Sequence, residues 1–373
     1  MIGGLRLAAL LVAIPGSIAW GRDGFAGPSP SREVRNPPRV LTYLKGQLHL
    51  HTNNSGDSAT APADVVRWYA AHGYDFIVVT DHNRITVAPS TPTMLVIPGV
   101  ELTQNVQHCV PPPPRGLRCL LHVNALFVVP PPDGKIPALP ATGPSRFEIY
   151  HRALDTTRRL GGIAQLNHPN FHYAADAPLI TLLTRDGLTL LEIANRSWDS
   201  NDVPDDKSQP SSEAIWDAVL TAGGDVFGTA TDDAHHYYDA AAVGARGGDV
   251  FPGDLGFVMV RADKQPAAIR AAIARGDFYP STGVLLGRVD VGRDRLEIEV
   301  DARSPGAHRF TFIGAGGKVL SRAQGRQAAF ALAGARGGYV RAVVEDAAGR
   351  RAWTQPIRVP AAPSRSGPRP SSR

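Results

Sequence analysis

Nine side chains able to hold a metal ion stand at, or just beyond, the ends of short apolar runs spread across most of the chain: His49, His51, Asp57, His82, Glu101, His122, His168, Asp233 and His235. The runs are 46–51, 76–82, 95–101, 120–128, 163–168, 188–193 and 225–231, and helical patterns lie between several of them. Polar ligands repeated at strand ends demand a fold that brings sequence-distant strand ends to one rim, as a βα barrel does. The pattern reads as a polynuclear metal site.

With 373 residues, 43% of them hydrophobic, the chain can build two domains. Residues 1–19 have a basic start at Arg6, an apolar stretch over 7–14, and small Ser17 and Ala19 before Trp20. This is a signal-peptide pattern and predicts export to the periplasm or exterior. An uncleaved anchor is the competing reading, but the apolar stretch is well below the roughly 20 residues a spanning helix needs, and no later segment is apolar enough to span a bilayer. Residues 20–39, rich in Pro, Gly, Ser and Arg, read as a linker.

From 40 to 284, strand-like runs alternate with helical patterns at 63–72, 146–160, 212–222 and 266–275, which argues for a parallel, barrel-like sheet wrapped by helices. The Pro-rich 130–144 and acidic 199–210 are expected as loops at the rim. From 285 to 360 the runs 296–300, 309–313, 328–332, 339–344 and 354–359 have Gly-rich turns between them and no helices, predicting a small antiparallel β-sandwich. Residues 361–373 are Pro, Ser and Arg-rich, too polar to offset ordering entropy, and are expected to be a disordered tail.

The net charge of +5 is unevenly placed: sixteen Lys and Arg oppose seven Asp and Glu from Leu285 onward, giving +9, and the remainder carries −4. Such asymmetry suits weak contact with an anionic surface, but with no dense basic run the preferred reading is scattered Arg on a solvated β surface, with no specific nucleic-acid partner. Cys109 and Cys119 flank a segment with four consecutive prolines. Export permits a disulfide there, worth roughly 2 to 3 kcal/mol for a loop of this size; two free thiols are the alternative, and the spacing fits no usual zinc module.

In the stretch Gly46-Gln-Leu-His-Leu-His-Thr52, residues two apart point the same way along a strand, so His49 and His51 converge on one cation. With Thr80-Asp-His82, Pro98-Gly-Val-Glu101, Asn167-His-Pro169 and Asp233-Ala-His235, the chain over about 46–283 resembles the PHP family, named for polymerase and histidinol phosphatase domains. The stretch His122-Val-Asn-Ala-Leu126, the run Arg275 to Gly283, the export pattern and the trailing β region resemble the CehA/McbA metallohydrolases within it.

The resemblance implies a distorted (β/α)7 barrel holding two to three divalent ions: His49, His51, Glu101 and Asp233 around one, with Glu101 bridging to a second held by His122 and His168, and Asp57, His82 and His235 around a third. Asp57 departs from the family pattern, since Gly56 intervenes where members often place the acid one residue nearer the second histidine. A ligand set of imidazoles and carboxylates without thiolates suits Zn²⁺, Mn²⁺ or Fe²⁺. A water bridging two such ions loses a proton near neutral pH and becomes a nucleophile. Catalytic roles fall to Glu101, Asp233 and His235, and either a third ion or His235 would help the leaving group.

Glu192 ends a similar apolar run and reads as orienting a neighbouring ligand, and Asp81 and Asp232 adjoin ligands. Arg84, Arg196 and Trp198 lie just past strands, where a substrate meets a cation or an aromatic face. His236 would point away from His235 in extended backbone, and His72, His108, His151, His172 and His308 read as surface residues. The expected function is an exported metal-dependent hydrolase of a small-molecule ester, a phosphoesterase first. A carbamate or carboxylic ester hydrolase of CehA/McbA type is the alternative, and a non-catalytic, metal-stabilised binding protein stands behind both.

Overall fold

A computed structural model describes residues 42–132, 135–136, 143–335 and 337–360. The expected signal peptide (1–19), linker (20–39) and tail (361–373), and part of the Pro-rich 130–144 loop, lie outside the described residues.

Among the described residues the strands form two large sheets and one small one. In the first large sheet β1 (Tyr43–Gln47), β2 (Phe76–Val79) and β3 (Leu95–Pro98) run parallel. The all-apolar β2 is buried along its length, as a strand covered on both faces must be. The second holds β4 (Val100–Val106), β5 (Cys119–Leu126), β6 (Ile163–Leu166), β7 (Leu190–Asn195) and β8 (Phe227–Thr231) in that order. Here β4–β5 and β5–β6 are antiparallel, and β6–β7–β8 are parallel. The first sheet continues from β1 to β9 (Phe257–Arg261) and β10 (Phe278–Ser281), both pairings antiparallel.

The chain crosses from β3 to β4 at Gly99, where a Cβ would lie 2.6 Å from Val78 Cγ1 and 3.0 Å from the Val79 carbonyl. Two isolated parallel bridges, Leu50–Ala234 and His82–Glu101, pin the sheets together at one end. The expected α/β class is what the chain adopts. Among the described residues the strands remain two pinned sheets and do not form one continuous hydrogen-bonded cylinder.

Among the described residues six helices lie between the strands: α1 (Pro62–Ala71), α2 (Arg146–Arg159), α3 (Ala177–Arg185), α4 (Ser212–Thr221), α5 (Ala240–Ala245) and α6 (Pro266–Arg275). Their ends carry local signals: proline in the first turn of α1, α3 and α6, Asp176 accepting from Leu179 N–H at the start of α3, Ser211 accepting from Ala214 N–H at the start of α4, and left-handed Gly276 after α6. In α2 the buried Ile149, Tyr150, Ala153, Leu154 and Thr157 recur at helical spacing against β5. None of the described helices is long and apolar enough to cross a membrane.

After β10 come eight more strands: β11 (Leu286–Val291), β12 (Arg295–Val300), β13 (His308–Gly314), β14 (Lys318–Gly325), β15 (Gln327–Ala331), β16 (Gly338–Glu345), β17 (Arg351–Trp353) and β18 (Ile357–Val359). The strands β11, β12 and β15 form the separate small sheet, whereas β17 pairs with β10 at Ser281–Ala352, so β14, β13, β16 and β17 extend the first sheet. The two layers enclose Leu296, Ile298, Phe310, Phe312, Val340 and Val344; full burial of each such side chain contributes about 2 kcal/mol.

Candidate metal centre

All nine ligand-type residues lie at the end of the molecule where the two bridges pin the sheets. His49 and His51 follow β1, with Leu50 between them buried and bridged to Ala234. His82 follows β2, Glu101 lies on β4, His122 on β5, His168 follows β6, and Asp233 and His235 follow β8. Asp57 comes from the loop after β1. His168 (φ 24°) and Asp233 (φ 52°) take left-handed backbone despite carrying a Cβ, a strain of order 1–3 kcal/mol each that clusters at functional sites.

The two buried carboxylates sit at the centre. Glu101 Oε1 is 3.1 Å from His122 Nδ1, 3.5 Å from His49 Nε2 and 3.6 Å from His168 Nε2; its Oε2 is 2.7 Å from His82 Nδ1 and 3.5 Å from His51 Nε2. Asp233 Oδ1 lies 3.1 Å from Nε2 of both His49 and His51. Asp57 Oδ2 lies 2.9 Å from His82 Nε2 and 3.3 Å from His235 Nε2. Donor atoms fall within 4.8 Å of one another in three overlapping sets: His51–Asp57–His82–His235, His49–His51–Asp233 and His49–Glu101–His168.

The surroundings fix how the rings present their nitrogens. His49 Nδ1–H donates to Glu192 Oε1 at 2.7 Å, His122 Nε2–H to Asn105 Oδ1 at 2.9 Å, and His235 Nδ1–H to the Asp233 carbonyl at 2.9 Å. The opposite nitrogen of each then faces the carboxylates and offers a lone pair there once its proton is released, the arrangement metal-binding histidines use. His49 Nε2, His122 Nδ1 and Glu101 Oε2 are buried and make no hydrogen bond, which is costly unless a cation completes them. On this test the residues fit a divalent ion.

Electrostatics agree. Burial disfavours charge on His49, yet the carboxylates of Asp233, Glu192 and Glu101 outweigh it and hold its pKa well above the ordinary histidine range. Against its own burial, His82 is raised to about 10 by Glu101 and Asp57. Burial and the neighbouring His235 push His51 down to about 4. Burial likewise opposes the charge on Glu101 and Asp233, but the imidazoles around them hold both well below the usual carboxylate range. Protons on the imidazoles here balance buried carboxylates; cation binding supplies the same charge and releases the protons.

Glu192 is fully buried and makes five contacts: besides His49 it accepts from Thr231 Oγ1 (2.7 Å), Gln165 Nε2 (3.1 Å), His168 N–H (2.7 Å) and Asn195 Nδ2 (2.9 Å). Asp81 accepts from the Thr52 N–H and hydroxyl and from Thr86. Asp232 accepts from the N–H groups of Asp254, Leu255 and Gly256, from Gln47 Nε2 and from the Tyr69 hydroxyl. Both brace the backbone from which a ligand projects.

A cavity of about 250 Å³ opens onto Asp57, His82, Glu101, His122, His168, Asp233 and His235; its other walls are Phe171, Ser197, Asp199, His236 and Phe251. His236 stacks on Phe251 with ring centroids 5.9 Å apart. It was expected to point away in extended backbone, but the N–H groups of both His235 and His236 turn to the Phe251 carbonyl (3.0 and 2.9 Å), so the backbone there is not extended. Trp198 is exposed and stacks on the outer side of this wall, 6.3 Å from Phe251. Arg196 lines a different and larger cavity of about 1050 Å³ that contains none of the nine ligand-type residues, and Arg84 is exposed and lines neither. Sequence reasoning did not find Phe171 or Phe251; the only signal for Phe171 was its place three residues after His168. Cys109 and Cys119 form a disulfide, Cα–Cα 5.9 Å.

No family model matches the chain, and no curated protein matches it. Among solved structures it is similar to the crystal structure of a two-domain protein containing a predicted PHP-like metal-dependent phosphoesterase from Bacteroides vulgatus, with 17% identity over 82% of this chain and 91% of that one and a TM-score of 0.44.

Proposed function

We propose that the protein is a metal-dependent hydrolase of PHP type, acting on a phosphoester. One observation carries this reading: five histidines turn a ring nitrogen to Glu101 or Asp233, and Asp57 and His235 form an adjoining donor set with two of them, His51 and His82. Divalent ions bound there supply Lewis acidity toward an ester oxygen and an activated water at neutral pH. His49, His51, Glu101 and Asp233 would hold one ion, Glu101 with His122 and His168 a second, and Asp57, His82 and His235 a third. Asp57, with His82 and His235, sits on the open cavity, where either the third ion or, in its place, a protonated His235 would assist the leaving group. The PHP motif resemblance, with the distorted (β/α)7 barrel it implies, supports the same reading, whereas that to the CehA/McbA group favours a second.

A second reading has its own support. Among the described residues lining the cavity none is Lys or Arg, and two are Phe. Phosphate pockets gather Arg; an apolar, aromatic wall suits a carbamate or carboxylic ester. The disulfide is consistent with an exported protein, and the N-terminal sequence pattern supports export to the periplasm or exterior. The basic C-terminal region would make at most weak contact with an anionic surface.

The test is hydrolysis by metal-stripped protein reloaded with Mn²⁺ or Zn²⁺, on nitrophenyl phosphate mono- and diesters and a naphthyl methylcarbamate, with His168→Ala as control. Metal-dependent phosphoester turnover lost in the variant is the expected result. Carbamate turnover alone transfers the protein to the second reading, and no turnover with tightly held metal favours a binding role.

A further inference from the structure

The segment from His168 to Ala174 carries a ligand and a cavity wall in backbone that needs outside support. His168, His172 and Tyr173 all have positive φ (24°, 52° and 51°) without being glycine, and such conformations persist only where their surroundings hold them. Phe171 donates its N–H to the His168 carbonyl at 2.8 Å, and its ring lies 5.0 Å from the His168 ring and 6.0 Å from that of His122. Displacing this turn displaces a ligand and the surface packed on two of them.

Two struts reach the turn, and both begin in the loop between β4 and β5 that the Cys109–Cys119 disulfide closes. In the first, the Arg118 N–H donates to His172 Nδ1 at 2.8 Å. Burial and the Arg118 charge lower the pKa of His172, which keeps that nitrogen a lone-pair acceptor. In the second, Val110 is bound to the start of α2, its N–H to the Pro144 carbonyl (2.7 Å) and its carbonyl to the Arg146 N–H (2.9 Å). Arg146, itself buried, donates through Nη1 to the Tyr173 and Ala174 carbonyls at 2.7 and 3.0 Å. The hairpin that supplies Glu101 and His122 thus also braces His168 from its stapled tip.

We infer that His172 is a positioning residue of the metal centre: by accepting the Arg118 amide it fixes the turn that sets His168 and Phe171, and the disulfide holds the amide in place. This rests on the metal-binding reading above. His172 touches no ligand donor atom and acts through its neighbours.

The experiment measures Zn²⁺ and Mn²⁺ affinity of the metal-stripped full chain by competition with a chromophoric chelator, for wild type, His172→Ala, His172→Asn and the Cys109→Ser/Cys119→Ser pair. Circular dichroism and the melting temperature of the metal-free proteins control for folding. Asn presents a carbonyl oxygen near the position of Nδ1, so it should restore what Ala removes. Expected is an affinity loss of about ten-fold in His172→Ala, recovery in His172→Asn, and a loss in the serine pair, with metal-free melting of the His172 variants unchanged. Wild-type affinity in folded His172→Ala overturns the inference, as does an equal loss in Ala and Asn. If wild type itself holds no metal, the proposed function falls and this inference with it; metal held equally by wild type and His172→Ala sinks the inference alone.

Discussion

His49 is held by atoms that never face the cavity. Its Nδ1 is tied to Glu192, which in turn gathers Thr231, Gln165, Asn195 and the His168 amide, so one buried carboxylate sets two ligand-bearing segments. Replacing Glu192 with Gln keeps the shape but removes the charged acceptor, and metal affinity should fall about ten-fold or more, read by calorimetric titration; an unchanged affinity would strip Glu192 of this role. The nine ligand types were legible in the sequence because few residue types bind metal and because strand ends repeat at readable spacing. The cavity walls were not. Phe171 and Phe251 look in sequence like any core aromatic, and His236 was misjudged because nothing in the sequence announces that the His235 and His236 N–H groups share the Phe251 carbonyl. His172 read as surface, since a backbone N–H donated from 54 residues away leaves no sequence trace.

Helices and strands were legible in proportion to their local signals. The expected helices at 63–72, 146–160, 212–222 and 266–275 lie within a residue of α1, α2, α4 and α6 at each end, because proline, serine and glycine mark several of those ends. Strand direction was not legible: an apolar run reads the same whether its neighbour is parallel or antiparallel, which is why β9, β10 and the β4–β5–β6 pairings depart from a uniform parallel sheet. Basic residues after Leu285 also look alike in sequence, yet Arg341 is fully buried. It lies on β16 against α4, bound to Asp217 (2.7 and 2.6 Å) and Glu213 (2.9 Å), over the Trp216 ring, with the Tyr339 hydroxyl also on Asp217. An Arg341→Met substitution leaves Asp217 buried without its cation and should cost about 3–5 kcal/mol, measured as a fall in the urea midpoint. A loss under 1 kcal/mol would mean that water reaches Asp217 once the guanidinium is gone.

At the scale of the whole molecule, the candidate metal centre spans the two large sheets: His49, His51 and His82 follow strands of one, while Glu101, His122, His168, Asp233 and His235 lie on or follow strands of the other. Ligand binding to the native state alone adds about 2.7 kcal/mol at a hundred-fold excess over Kd. Stripping the protein with a chelator should therefore lower its melting temperature, and graded Zn²⁺ or Mn²⁺ should raise it with the logarithm of concentration in a thermal scan. A melting curve indifferent to metal would deny the centre any hold on the fold.

The two bridges that pin those sheets, Leu50–Ala234 and His82–Glu101, bear on how the protein is made. A nascent chain that has reached residue 200 possesses seven of the nine ligand groups but neither Asp233 nor His235, and the bridge at Ala234 has nothing to form with. Two of the three donor sets include Asp233 or His235 and are completed only when the end of β8 is made, so on the metal-binding reading full loading would be a late event of biogenesis.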